Sequence, residues 1–329
     1  EVPAIDLRLA ERFAGAAGDA QRSVTIEWDG VDTLNDWRWG LAAALGVEIP
    51  DELISADSRY QALSATMPAM PLPQRAQAAM FAASRGILSS GALVDLYSQL
   101  YAAEGVEGAG AARADRLRDA YVAADPARRL AAMRDIWGDG EDYGAFVLTA
   151  YAAARLPADE ALVADAEPLI ASMLTAGLDA NAMRWAGLVE DGSGAWGLLA
   201  LAQPDLEGTV SGGAVDTYVD EDASASQRKS KFLVAGLAGL GRLDEGDTAE
   251  FSNRLGLNLA RESKWSRLIG QAGEYENPAL VVLLAGLGMR AESWDKMTPR
   301  HLFHIVRALD RAGLSAEARM IAAEAVARA

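Results

Sequence analysis

Apolar residues recur at spacings of three and four along most of the chain, the signature of helices with one buried face. Glycine, proline and aspartate interrupt that rhythm at short intervals. The pattern predicts helices over 4–17, 33–46, 51–66, 73–88, 91–104, 110–124, 127–137, 142–155, 159–176, 180–190 and 194–202. It predicts further helices over 225–240, 247–259, 262–271, 277–287, 299–312 and 315–328. Pro50 before Asp51, Asp125 before Pro126, and Thr298 before Pro299 read as helix starts, since a cap oxygen or a first-turn proline suits the unpaired N–H groups there. Gly46, Gly105, Gly177, Gly241, Gly288 and Gly313 stand where a left-handed residue would close the preceding helix. Residues 23–28, Ser-Val-Thr-Ile-Glu-Trp, alternate with β-branched content and predict the one extended segment.

Short connections between helices make antiparallel neighbours the default, so the expected fold is all-α. Stacked antiparallel helix pairs would then form a curved α-solenoid of degenerate helical repeats. A fragment supports the repeat: Ala-Gly-Leu occurs at 176–178, 186–188, 235–237, 238–240, 285–287 and 312–314. The best-matched stretches, 232–241 and 280–288, lie about 48 residues apart. The helix-pair plan resembles that of tetratricopeptide proteins, although their signature positions at a 34-residue period are not reproduced. Two breaks divide the chain. The glycine-rich 104–112 segment reads as a hinge, and 204–226 reads as a long break whose acidic, Gly/Ser-rich part spans 207–226. The expected division is an N-terminal bundle over 1–106, middle pairs over 107–206, the 207–226 loop, and C-terminal repeats over 227–329, together one superhelix.

Composition sharpens this reading. Among 329 residues about a fifth are alanine, the strongest helix former and one that lets helices approach closely. Cysteine is absent, which excludes disulfides, thiolate metal sites and cysteine nucleophiles. The formal charge is −17, with lysine only at 229, 231, 264 and 296, which argues against a phosphate-backbone or acidic-membrane partner. No apolar run reaches the length of a membrane span. The first residues, Glu1, Val2 and Pro3, suit a mature N-terminus after signal cleavage, and with the missing cysteine they tilt the expectation toward a soluble protein of the periplasm or envelope.

Candidate chemistry is sparse. His301 and His304 share a face of the 299–312 helix and are the only candidates for a metal, yet no third ligand or zincin arrangement accompanies them. Ser226 and Lys229 match a Ser-x-x-Lys spacing without the companion motifs of a serine acyltransferase. The acids around 139–144 lack the spacing of a calcium loop. Neither a dinucleotide fingerprint nor a phosphate loop is present, and no cofactor is expected. Tryptophan is the distinctive side chain: Trp37 and Trp39 point about 200° apart on a helix, so one of them can leave the core stripe and grip a peptide or sugar. Asp216, Asp220, Glu221 and Asp222 form an acidic cluster in the 204–226 break.

With no complete catalytic constellation, the expected function is non-catalytic: a protein- or peptide-binding scaffold that uses an acidic helical-repeat surface, with Trp37, Trp39 and the 216–222 acids as contact residues. The alternative is an envelope enzyme or accessory acting on glycans, with a tryptophan as stacking platform and Glu262 as proton donor. The apolar 320–329 segment is the expected place for self-association.

Overall fold

The computed structural model describes residues 26–206, 208–290 and 294–329, and among them every regular element is a helix. They form two compact units. The first holds the described residues up to Val122 together with Arg134–Leu148; the second holds Ala123–Met133 and Thr149–Ala329.

In the first unit, α1 (Asp36–Leu45), α2 (Asp51–Ser55), α3 (Ser58–Thr66), α4 (Leu72–Ser84), α5 (Ser90–Ala102) and α6 (Ala109–Val122) pack largely against sequence neighbours. The predicted 51–66 helix is two helices. The Asp57 side chain accepts from the Arg59 N–H at 2.8 Å and starts a second helix inside the apolar pattern. Of the predicted 104–112 hinge, residues 104–108 are a non-helical connection and the last four form the start of α6. No strand forms at 26–28, and residues 23–25 lie outside the described residues; Ile26 and Trp28 instead pack against a small core of Trp39, Ile49, Ile54 and Tyr60. Two helices, α7 (Pro126–Trp137) and α8 (Tyr143–Ala154), each contribute residues to both units.

The second unit contains α9 (Ala166–Leu174), the short α10 (Asp179–Ala182), α11 (Gly194–Ala202), α12 (Gly212–Glu221), α13 (Arg228–Gly239), α14 (Glu245–Arg254), α15 (Lys264–Glu274), α16 (Pro278–Gly288), α17 (Pro299–Arg311) and α18 (Ser315–Ala327). The 207–226 segment is thus no loop, because α12 occupies half of it. Sequence reading missed α12 because its glycines and acids resemble loop composition; what holds the helix is the burial of Ala214, Val215, Tyr218 and Val219 on one face. The predicted 159–176 helix begins as a 3-10 turn, Glu160–Asp165, and the predicted 180–190 helix is reduced to α10 and a second such turn.

Packing in this unit is not confined to neighbours. The C-terminal helix α18 packs on α17 and α13 and also reaches back to α11 and α9. Ala318, Ala322, Ala323, Ala325 and Val326 are buried in those contacts. The apolar 320–329 segment is therefore spent inside the unit and is not a free end. Alanine and glycine make such proximity possible: a Cβ placed on Gly273 of α15 would meet the Ala308 carbonyl oxygen at 3.0 Å.

Two helix ends are closed by arginines from distant positions. The last four C=O groups of a helix lack intrahelical partners and carry its negative dipole end. At α11, Arg242 donates through Nη1 to the carbonyls of Ala200 (2.8 Å) and Leu201 (3.0 Å) and through Nη2 to that of Gln203. Arg319 of α18 donates to the Ala202 carbonyl and pairs with Asp179 at 2.9 Å. At α8, Arg184 donates to the Ala154 carbonyl at 2.6 Å, and Arg129 reaches the carbonyls of Ala152 and Arg155. Burial pushes the pKa of Arg242 down, and the adjacent Arg319 adds to the effect.

Candidate functional site

A groove of about 860 Å³ lies in the second unit, between the end of α13, helix α14, the 255–262 segment and one flank of α17. Each wall has a local cause. α13 stops at Gly241, whose φ of +67° is left-handed. α14 starts at Asp244, whose side chain accepts from the Asp247 N–H at 2.8 Å. Ser263 and Ser266 form a reciprocal capping box that turns the 255–262 segment into α15. Pro299 sits in the first turn of α17 and Thr298 caps it.

α17 is strongly two-faced. Leu302, Phe303, Ile305, Val306 and Leu309 are buried, while His304, Arg307 and Arg311 follow one another at three and four residues along the other stripe. That stripe separates the groove from an adjoining cleft of about 300 Å³, so Glu262, His304, Arg307 and Arg311 border both. Arg311 pairs with Glu274 at 3.1 Å. Arg307 lies 5.7 Å from the Phe303 ring centroid and has no ion-pair partner among the described residues. Burial, and then the neighbouring Arg311, lower its pKa, with Glu274 opposing. The result is a guanidinium fork backed by an aromatic ring and free to meet an acceptor from outside.

Burial pushes His304 below the ordinary histidine pKa, which favours its neutral form, while the Arg261 carbonyl and Glu262 oppose the shift. Its Nε2 faces the Arg261 carbonyl at 3.4 Å, a weak hydrogen bond. His301 is committed elsewhere: its Nδ1 is 2.7 Å from the Thr298 hydroxyl and its ring lies 5.2 Å from that of Trp265. Among the described residues no three His, Asp or Glu side chains are grouped to hold a metal.

The other sequence candidates separate. Trp37 is 59 % exposed, whereas Trp39 is 7 % exposed, stacks on Tyr60 and donates Nε1–H to the Ser64 hydroxyl at 3.1 Å. Trp39 is therefore core and no contact surface. Both tryptophans are in the first unit, and Glu262 is in the second. Asp216 and Asp220, one turn apart on α12, both hold Arg254 of α14. Asp222 accepts from the N–H groups of Ser224 and Ser230 and from the Ser230 hydroxyl, each within 2.8 Å. Burial raises its pKa, but these hydrogen bonds outweigh burial and hold its carboxyl below the usual carboxylate range. Glu221 alone of the four is exposed without a partner among the described residues. Lys229 pairs with Glu167 at 2.9 Å, so it does not activate Ser226.

No protein-family model, curated protein or solved structure matches the chain. The groove thus stands on its own geometry. Its arginines belong to no motif in the sequence; the signal they leave there is the His304, Arg307, Arg311 stripe opposite the apolar face of α17. No helix among the described residues is long and apolar enough to cross a membrane.

Proposed function

We propose that the protein is a non-catalytic peptide- or protein-binding scaffold, and that its ligand lies in the α13–α14–α17 groove. The observation that carries this reading is Arg307: an unpaired guanidinium on an aromatic ring, inside a groove that also offers Leu243, Leu257 and Leu259. Arg307 fits a carboxylate beside an apolar side chain of a bound chain segment, whereas the groove's Glu245, Glu262 and Asp310 do not add to that attraction. The acids of α12 take a lesser part than their sequence suggests, since Asp216 and Asp220 already hold Arg254. The test is fluorescence anisotropy of the full chain against a defined decapeptide library graded in Asp and Glu content. Acidic peptides bind best, binding weakens with salt, and Arg307→Glu reduces it about tenfold, the worth of one charge-assisted contact. Binding that ignores both charge and Arg307→Glu overturns the reading.

The glycan-acting alternative keeps one foothold, Glu262 beside His304 at the border of both clefts. Turnover of peptidoglycan fragments, lost in Glu262→Gln, would replace the binding reading. We also read the hairpins α15–α16 and α17–α18 as degenerate repeat pairs of a solenoid that α18 closes onto earlier helices. An envelope location is part of the same proposal, supported by the cysteine-free composition, and is checked by fractionation of the source cells.

A further inference from the structure

Helix α16 has no charged residue in eleven positions, although 23% of the chain is charged. It packs on α15 and α17 through Val281, Leu284 and Ala285, and Trp265 donates Nε1–H to the Leu284 carbonyl at 3.0 Å. The opposite side is open. Leu280, Leu283 and Leu287, at i, i+3 and i+7, form one exposed stripe, and Val282 flanks it; Leu283 is 71 % exposed. Tyr275, 83 % exposed, stands just before the helix. Single exposed leucines are ordinary, but a whole apolar stripe on one short helix marks a contact surface.

We infer that α16 is the interface of a two-fold homodimer in which the two copies of the helix pack antiparallel. Three observations favour a second copy as occupant. The exposed apolar side chains of α16 with Tyr275 amount to roughly 600 Å² per copy, so the pair can bury at most about 1,200 Å², the lower edge of stable interfaces. At a net charge of −17, two copies repel wherever acidic faces meet, and α16 is an uncharged face where that repulsion is least. The rim is also self-complementary. Glu276 precedes the helix and Arg290 follows it; both are exposed, and neither is paired among the described residues. An antiparallel two-fold places Glu276 of each copy beside Arg290 of the other, twice per dimer, while the leucine stripe meets itself. Gly286 and Ala279, both exposed on α16, leave room for the helices to approach.

The experiment is sedimentation velocity on the full chain between about 5 and 200 µM, where a mass-action dimer declares itself. The wild type dimerises, and Leu283→Glu is monomeric with an unchanged helical circular dichroism spectrum, since Leu283 supports nothing inside the unit. Arg290→Glu weakens the dimer roughly tenfold by turning two attractive rim contacts repulsive, and the double variant Glu276→Lys/Arg290→Glu restores it. A monomeric wild type, or a dimer indifferent to Leu283→Glu, overturns the proposal. Loss in Leu283→Glu without rescue by the double charge reversal overturns the antiparallel arrangement.

Discussion

Replacing Arg242 tests whether distant arginines hold the helix ends of the second unit. Its side chain is buried and makes three hydrogen bonds to the carbonyls of Ala200, Leu201 and Gln203. Arg242→Ala leaves those acceptors without donors at a helix end where water has little access. A hydrogen bond from a charged donor contributes about 1.5–3 kcal/mol, and an orphaned buried acceptor costs about 1–3 kcal/mol. Opposing this, the variant removes a cation that is costly to bury and that stands beside Arg319, as its lowered pKa records. Water reaches the Gln203 carbonyl more easily than the other two, so its loss counts least. The expected net loss is about 3 kcal/mol. Urea denaturation of the full chain measures it, and hydrogen exchange over Gly194–Ala202 localises it, because the amides of α11 should lose protection first. Arg242→Lys keeps the charge but not the fork, and should lose about half as much. A loss below about 1 kcal/mol in Arg242→Ala, or unchanged exchange in α11, refutes the argument.

Other substitutions separate the structural roles assigned above. Gly273→Ala drives a Cβ to 3.0 Å from the Ala308 carbonyl and should cost about 1–2 kcal/mol, whereas Gly270→Ala on the same helix meets nothing within 4 Å and should gain up to about 1 kcal/mol; thermal melts read the opposite signs. Asp222→Ala removes the hydrogen bonds that close the α12–α13 junction and should cost about 1–2 kcal/mol at neutral pH. Because Asp222 has a lowered folded pKa, its stabilisation is full above the unfolded carboxylate value of about 3.9 and is lost as the pH falls through the lower folded value; the variant's deficit should shrink over that acid range. Trp39→Ala should cost about 3–5 kcal/mol and Trp37→Ala less than about 0.5 kcal/mol, and equal losses in chemical denaturation would contradict their assignment to core and surface.

Much of the local structure was legible in the residues themselves. Helix starts at Asp51, Pro126 and Pro299 and stops at Gly46, Gly241 and Gly313 come from interactions within one turn, so short-range chemistry determines them. The all-α class followed from periodicity and alanine content for the same reason. The divergence of Trp37 and Trp39 was a consequence of helix geometry alone, although which of them is buried depended on Tyr60 and Ser64.

Tertiary structure decided what depends on partners far along the chain. Residues 207–226 look like a loop by composition, and α12 exists because Val215, Tyr218 and Val219 find a core to fill. Which arginine meets which acid or carbonyl is equally invisible locally. Arg319 and Ala202 are 117 residues apart, and Arg254 and Asp216 are 38 apart. The apolar surplus was expected at 320–329, but packing buries that helix and leaves α16 open. The physical reason is common to all three: caps and periodicity are settled within a few residues, whereas the side a helix presents to solvent is settled only when every other helix has taken its place.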